Sequence, residues 1–205
     1  LDFASPKQDR SPDFAWWLWT APGGLGKSRL ALYLCKELQK SGWRCGFLDS
    51  TTNFDQWGQW QVYQSTCIVI DHIAYRAKEI SKAIRLLTQS TENIRAPLRL
   101  LLLERPFRPE DKWVKVFLPQ AFPIETEKLF SCAYDPTEKS CADDLNNYEH
   151  QLGPLSDNDV WQIILTILNE EHKPIYPDRE TTLKALDKID PLRRPLFAIF
   201  TAEAL

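Results

Sequence analysis

Short apolar runs alternate with longer segments of helical spacing in the first hundred residues. The runs have the length of buried strands. They cover residues 15–20, 44–49, 67–71 and 98–103. Segments 27–39 and 73–88 carry apolar side chains three or four positions apart, which predicts amphipathic helices. Because strands that alternate with helices form parallel sheets covered by helices, the pattern predicts an α/β core with a mostly parallel sheet.

The pattern changes after residue 105. Segment 106–147 contains five prolines and no clear period, so we expect loops with short elements there. Helical spacing returns after Ser156 in three segments, the last of which carries Pro195 within its first turns. The sequence therefore predicts a small helical lid subdomain after the core. The expected divisions are a lead-in segment at 1–14, the α/β core at 15–120, an irregular connection at 121–150 and the helical lid at 151–205.

Composition excludes several classes of protein. A net charge of −3 offers no basic surface for nucleic acid or anionic lipid, and no apolar run is long enough to cross a membrane. Five cysteines without C-x-x-C spacing argue against a disulfide framework or a zinc site, and reduced thiols favour a cytoplasmic protein. The chain has no methionine and ends within a helical pattern, so we expect a piece of a longer protein.

The motif "APGGLGKS" at residues 21–28 follows the first apolar run and opens the first helical segment. It matches the Walker A pattern with Ala21 in place of the first glycine. Glycines allow the backbone N–H groups to point at phosphate oxygens, and the helix N-terminus adds its dipole. Lys27 would reach the β- and γ-phosphates, and the Ser28 hydroxyl would bind Mg²⁺. The candidate nucleotide-binding residues are Gly23, Gly24, Leu25, Gly26, Lys27, Ser28 and Arg29.

Asp71 ends the apolar run "CIVID", as in a Walker B strand. A carboxylate at the tip of a strand beside a phosphate loop can hold Mg²⁺, so Ser28 and Asp71 are the candidate metal residues. The alternative is an aspartate that only caps the next helix. His72 follows where fast ATPases often carry a second acid, and this predicts slow hydrolysis or none. Glu104 and Asp49 remain alternative bases.

Arg105 follows the fourth apolar run, which places a cation at the edge of the sheet where ligands of α/β folds bind. It is a candidate sensor of the γ-phosphate and, with Asp71, a candidate catalytic residue. The alternative is a surface arginine paired with Glu104 or Glu110.

Tryptophans at positions 16, 17 and 19 lie on the first strand, which favours core packing over stacking on bases. Trp57 and Trp60 would pack on the core or meet a neighbouring subunit.

The segments "PGGLGKSRLA", "CIVID", "LRLLLLER" and "RRPLFAIFTAEAL", in this order, resemble the STAND class of P-loop NTPases, signal-transducing ATPases related to AAA+ proteins. The resemblance implies a P-loop α/β fold with a helical lid, and ATP or ADP with Mg²⁺ as ligands. It implies that Arg105 acts as the sensor 1 arginine. Pro195 is similar to the proline of the G-x-P motif, which lies near the adenine, although Arg193 stands in place of the glycine.

The resemblance also implies a regulatory switch that couples nucleotide state to conformational change or homo-oligomerisation, with effector and sensor domains outside this segment. Two alternatives remain: a small-molecule P-loop kinase in which Asp49 binds the acceptor hydroxyl, and a scaffold that holds nucleotide without turnover. For Pro195, the alternative to adenine contact is a first-turn proline in a helix pair whose core contains Leu196, Phe197, Ile199 and Phe200.

Overall fold

The structure is a computed structural model that describes residues 14–118, 133, 149–170 and 178–204. The expected lead-in segment and most of the irregular connection lie outside the described residues. By their contacts, the described residues of Leu1–Thr20 and Ser28–Gln151 form a first compact unit. Those of Ala21–Lys27 and Leu152–Leu205 form a second.

The first unit is built on a parallel sheet of five strands with helices along it, which confirms the α/β expectation. The spatial order of the strands is β2-β3-β4-β1-β5. The strands are β1 (Phe14–Thr20), β2 (Arg44–Phe47), β3 (Thr66–Asp71), β4 (Leu98–Glu104) and β5 (Glu149–Gln151). The helices of this unit are α1 (Lys27–Lys40), α2 (Ala77–Gln89) and α3 (Lys112–Phe117).

Strand alternation divides the core between the two faces of the sheet. Trp16 and Leu100, at even positions of β1 and β4, are fully buried in the cluster that includes α2 and α3. Trp19 and Leu103, at odd positions, belong to the cluster with Ala31 of α1. Both faces of the central strands are therefore buried, as their almost continuous apolar sequence predicts.

The tryptophans of the first unit confirm the core interpretation. Trp16 has no exposed surface and meets Phe117 edge to face, with ring centroids 6.0 Å apart. Trp19 is buried, and Trp17 is half-buried beside it. Trp57, in a 3₁₀ turn at Trp57–Gln59, is buried and Trp60 packs against the same core.

Several details differ from the sequence prediction. The strand expected at 44–49 ends at Phe47, and the helix expected at 73–88 begins as a 3₁₀ turn at Ile73–Arg76 before α2. Leu30 belongs to the apolar stripe of α1 but is 43% exposed, because Ala31, Cys35 and Leu38 alone form the buried face. Part of the proline-rich segment forms the short helix α3.

The second unit contains three described helices: α4 (Asp157–Glu170), α5 (Arg179–Ile189) and α6 (Pro195–Ala204). Val160, Ile164 and Leu168 lie four residues apart on one face of α4 and are fully buried. They share a cluster with Ala198 and Ala202, whose small side chains allow α6 to approach closely. Of the four residues that the alternative interpretation of α6 places in the core, Phe197 packs against this cluster and Ile199 is half-buried. Leu196 and Phe200 are 42% and 51% exposed, so the interpretation is wrong for these two.

Cap residues mark the beginnings of two of these helices. The Asp178 side chain accepts a hydrogen bond of 3.0 Å from the Thr181 N–H at the start of α5. Ser156 Oγ accepts from the Asp159 N–H before α4, while the Asp159 carboxylate accepts from the Ser156 N–H. Ser156 and Asp159 therefore form a reciprocal cap at the start of α4. None of the described helices is long and apolar enough to span a bilayer.

Candidate functional site

The segment Ala21–Lys27, hereafter the glycine loop, joins β1 to α1. Gly24 and Gly26 have φ angles of +82° and +87°, a conformation that L side chains rarely adopt. A weak turn bond of 3.4 Å runs from the Leu25 N–H to the Pro22 carbonyl. The glycines at these two positions are thus required by backbone conformation. Gly23 has open space where a Cβ would stand.

Lys27 is held by the loop itself. Its Nζ donates to the Ala21 carbonyl at 2.6 Å and to the Pro22 carbonyl at 3.4 Å. An ammonium that folds back on two carbonyls of its own loop is fixed near the backbone N–H groups of that loop. An anion bound to these N–H groups would lie close to the positive charge of Lys27, which belongs to the same short segment. Arg29, one turn into α1, is exposed.

Ser28 and Asp71 are joined directly, although 43 residues separate them in the chain. Ser28 Oγ donates a hydrogen bond of 2.6 Å to Asp71 Oδ2. Ser28 lies in the first turn of α1 and Asp71 ends β3, so the sheet topology brings the two oxygens together. A hydroxyl and a carboxylate at this distance are the hard oxygen ligands that Mg²⁺ prefers.

The second carboxylate oxygen of Asp71 accepts a hydrogen bond from the residue that follows. Asp71 Oδ1 accepts the His72 N–H at 2.9 Å, and His72 Nε2 lies 4.0 Å from the same oxygen. His72 has φ +56°, an unusual value for a residue with a side chain. The Asp71 carboxylate thus contacts both Ser28 and His72, and it does not cap the next 3₁₀ turn.

Glu104, the last residue of β4, is 8% exposed and its two oxygens are both engaged. Oε2 accepts the Ala74 N–H at 2.8 Å, and Oε1 accepts the Arg105 N–H at 2.8 Å. The 3₁₀ turn after His72 has no side-chain cap of its own, so Glu104 satisfies one of its N–H groups from a neighbouring strand. Its role as an alternative base is therefore disfavoured by its environment.

Arg105 is exposed immediately after β4. Its neighbour Glu104 lies in register with Thr20 at the end of β1, and Leu103 is in register with Asp71. Arg105 therefore follows the strand that separates β1 from β3. Within the described part of the chain, its guanidinium forms no ion pair with Glu104 or Glu110.

Asp49 lies beyond the end of β2 and is exposed. Its Oδ1 accepts hydrogen bonds from the hydroxyl and the N–H of Thr51, and these bonds lower the pKa of the Asp49 carboxyl. A carboxylate stabilised in this way is a weaker base than an ordinary aspartate.

In the second unit, Arg193 adopts a left-handed backbone conformation. Its φ is +48°, in the left-handed region where glycine is favoured. Its side chain forms two hydrogen bonds with Asp187, at 2.9 and 3.0 Å, and a further one with Asp157. The ion pairs compensate for an unfavourable backbone. Arg193 therefore stands in place of the expected glycine at a position whose φ favours glycine.

Pro195 is the first residue of α6, a position where its missing N–H is not needed. Its Cγ lies 3.6 Å from the position that a Cβ on Gly26 would take. Pro195 therefore lies beside the glycine loop, which belongs to the same compact unit. Its place in the first turn of α6 agrees with the first-turn interpretation, and its contact with adenine stays a prediction.

Arg194 is a residue that the sequence interpretation passed over. Its Cδ lies 3.3 Å from the position of a Cβ on Gly24, closer than Pro195 approaches Gly26. Asp190, only 1% exposed, accepts both the Arg194 N–H at 2.7 Å and Arg194 Nε at 2.9 Å. The sequence signal was the spacing of four residues between an acid and an arginine.

Among the described residues, no group of three or more His, Cys, Asp or Glu side chains could hold a metal ion by itself. Mg²⁺ commonly takes one or two protein oxygens and obtains the rest from phosphate and water, so the Ser28–Asp71 pair suits that ion. Comparison with known protein families finds no matching family model, and comparison with curated protein sequences finds no match.

Proposed function

We propose that this chain is an ATP-binding switch module of the STAND type, which couples its Mg-ATP or Mg-ADP state to conformational change or homo-oligomerisation and hydrolyses ATP slowly. The observation that carries the proposal is the hydrogen bond of 2.6 Å between Ser28 Oγ and Asp71 Oδ2. A glycine-rich turn alone needs neither this hydroxyl nor this carboxylate. Their pairing is what a Mg²⁺-nucleotide site requires.

The strand order supports a P-loop fold of the AAA+-related class. β4 lies between β1, which leads into the glycine loop, and β3, which ends in Asp71. A strand inserted between these two is expected in that class. It brings Arg105 to the edge of the sheet where β1 and β3 end, which supports its proposed role as a sensor of the γ-phosphate.

Three features support slow hydrolysis. His72 stands where a second acid would polarise the attacking water. Both oxygens of Glu104 accept backbone N–H groups, and the Asp49 carboxylate is held by Thr51. Because each alternative base is engaged or weakened, we expect bound ATP to persist. The bonds to Thr51 also weigh against a kinase in which Asp49 receives a proton from the acceptor.

The second unit supports a nucleotide-dependent response. Pro195 and Arg194 lie beside Gly26 and Gly24 of the glycine loop, so α6 begins beside the segment proposed to bind phosphate. A ligand that binds the loop differently as ATP and as ADP would bias the position of these residues. Adenine specificity rests on the resemblance to the STAND class.

Calorimetric titration of the chain with Mg-ATP, Mg-ADP and Mg-GTP tests the proposal, with released phosphate measured afterwards. We expect adenine-specific binding, little phosphate, and a difference in sedimentation between the ATP and ADP samples. Lys27→Ala should abolish binding without unfolding the chain. Lys36→Ala, which removes an exposed lysine from the same helix, is the control. ATP affinity that is equal in the parent and in Lys27→Ala would refute the proposal.

The same titrations separate a switch from a scaffold that holds nucleotide without turnover. A switch requires different affinities or assembly states with ATP and ADP. Arg105→Ala should reduce the discrimination between the two nucleotides, and Arg108→Ala, an exposed arginine three residues later, should leave it unchanged. Identical behaviour with both nucleotides in the parent would favour the scaffold.

A further inference from the structure

The side chain of Arg194 runs along the glycine loop. Its Cδ would be 3.3 Å from a Cβ on Gly24, which is tighter than ordinary van der Waals contact, and the φ of Gly24 is +82°. The guanidinium group begins at the atom bonded to Cδ. The stem of a cationic side chain thus lies beside the loop whose N–H groups are proposed to receive phosphate.

Two contacts hold this guanidinium, and a third holds the backbone of the same residue. Asp190 Oδ1 accepts Nε at 2.9 Å, Asp190 Oδ2 accepts the backbone N–H of Arg194, and the Phe197 ring lies 4.4 Å from the guanidinium carbon. Only Nε of the side chain is used in these bonds. Within the part of the chain that the structure describes, Nη1 and Nη2 donate to no acceptor. Two parallel donors suit a phosphate group, which arginine binds bidentately.

The charges around the loop favour an anion. Segment 21–27 contains no acidic residue and carries the ammonium of Lys27. Asp190 is only 1% exposed, and its pairing with Arg194 is an ion pair that positions the arginine. Arg193 differs from its neighbour, since three of its nitrogens are bonded to Asp187 and Asp157. All three nitrogens of the Arg193 guanidinium therefore already donate to carboxylates of this chain.

We infer that Arg194 is a phosphate-binding residue for the nucleotide held by the glycine loop, and that Asp190 is its positioning residue. The inference rests on the proposed nucleotide binding and adds to it a cation that the helical segment supplies. Because Arg194 precedes α6 directly, the phosphate it contacts would connect the nucleotide to that helix. The ligand is a nucleoside di- or triphosphate.

The test compares Arg194→Ala, Arg194→Lys and Arg193→Ala in calorimetric titrations with Mg-ADP and Mg-ATP. Loss of a charge-assisted hydrogen bond predicts that Arg194→Ala weakens both ligands on the order of 10- to 100-fold. Arg194→Lys keeps the charge and should recover part of this loss. Arg193→Ala is the matched control, since it removes an adjacent arginine with its ion pairs, and it should change affinity less than about twofold.

Adenosine distinguishes phosphate binding from a general loss of structure. Its affinity, measured by displacement of bound Mg-ADP, should be the same in the parent and in Arg194→Ala. An equal loss for adenosine and Mg-ADP would overturn the inference. Parent-like Mg-ADP affinity in Arg194→Ala would also overturn the inference about Arg194. If Lys27→Ala binds no nucleotide in the same experiment, the proposed function is still supported. A parent chain that binds no nucleotide would refute both.

Removal of Arg194 leaves the buried carboxylate of Asp190 without its partner, so the alanine variant is at risk of unfolding. Chemical modification of the unaltered chain avoids this risk. Phenylglyoxal reacts with arginine, and fragment masses separate Arg193 from Arg194. Mg-ADP should slow the modification of Arg194 several-fold and leave the rate at Arg193 unchanged. Equal rates at Arg194 with and without saturating Mg-ADP would overturn the inference.

Discussion

Glu104→Gln is the substitution for which the structure gives the clearest energetic expectation. The carboxylate is 8% exposed and accepts two backbone N–H groups, from Ala74 and Arg105, each at 2.8 Å. A glutamine amide has the same shape but only one oxygen. Its NH₂ group must therefore face one of the two N–H donors. The variant loses a hydrogen bond to a charged group and places two donors against each other.

A hydrogen bond to a charged group contributes about 1.5–3 kcal/mol, and an unsatisfied buried donor costs a similar amount. Because both hydrogen bonds are only partly buried, water can satisfy part of the lost bonding, and we expect a net loss of about 2–3 kcal/mol in the free energy of unfolding. For a chain of this size, that loss corresponds to a fall of roughly 4–12 °C in the melting temperature.

Urea unfolding followed by tryptophan fluorescence measures this loss, because most of the tryptophans lie in the first unit. Glu110→Gln is the matched control: it makes the same chemical change at an exposed glutamate six residues later. The control should unfold like the parent. A loss below about 0.5 kcal/mol in Glu104→Gln, equal to that of Glu110→Gln, would refute the reasoning that Glu104 holds the turn after His72.

Three further predictions follow from the packing and the caps. Trp16→Ala, at a site with no exposed surface, should lower the free energy of unfolding by about 3–5 kcal/mol in the same assay, and a loss near 1 kcal/mol would contradict the core assignment. Iodoacetamide should label half-buried Cys45 in the folded chain before buried Cys67, because hydrogen bonds with the Cys35 and Cys45 thiols, together with burial, raise the pKa of Cys67. Peptide masses after timed labelling measure the order, and labelling of Cys67 first would contradict the prediction. The N–H and hydroxyl of Thr181 lower the pKa of Asp178 from 3.8, so its stabilisation is present above that value and is lost as the pH falls through the lower pKa of the folded state. The difference in melting temperature between the parent and Asp178→Ala should therefore shrink between neutral pH and about pH 3, and a constant difference would exclude the cap.

The local pattern of the sequence was sufficient for the main elements. Continuous apolar runs predict β1 and β4 because these strands are buried on both faces, and the spacing of α1 and α4 predicts helices with one buried face. Burial at single positions was less predictable. Leu30 and Phe200 are apolar yet exposed, since the face that a helix buries depends on its neighbours and is narrower than the apolar stripe.

The candidate site shows the same division between local signal and tertiary contact. Residues within one motif, such as Gly24, Gly26 and Lys27, are identifiable because their conformation and reach are set by the segment itself. Arg194 was not identifiable as a partner of Gly24, which lies 170 residues earlier in the numbering. The spacing of apolar residues within one segment does not predict a contact between segments so far apart in the chain.

What the sequence determined by itself is the alternation of strands and helices, the glycine loop and the identity of the chemical groups in it. Tertiary structure decided which of these groups are engaged. Glu104 is a possible base in the sequence, but backbone N–H groups from two different segments occupy its oxygens. Arg193 stands in place of an expected glycine in the sequence, and in the fold its φ is +48° and its side chain is bonded to Asp187 and Asp157. Both outcomes depend on hydrogen bonds and ion pairs between distant segments, and these form only when the chain is folded.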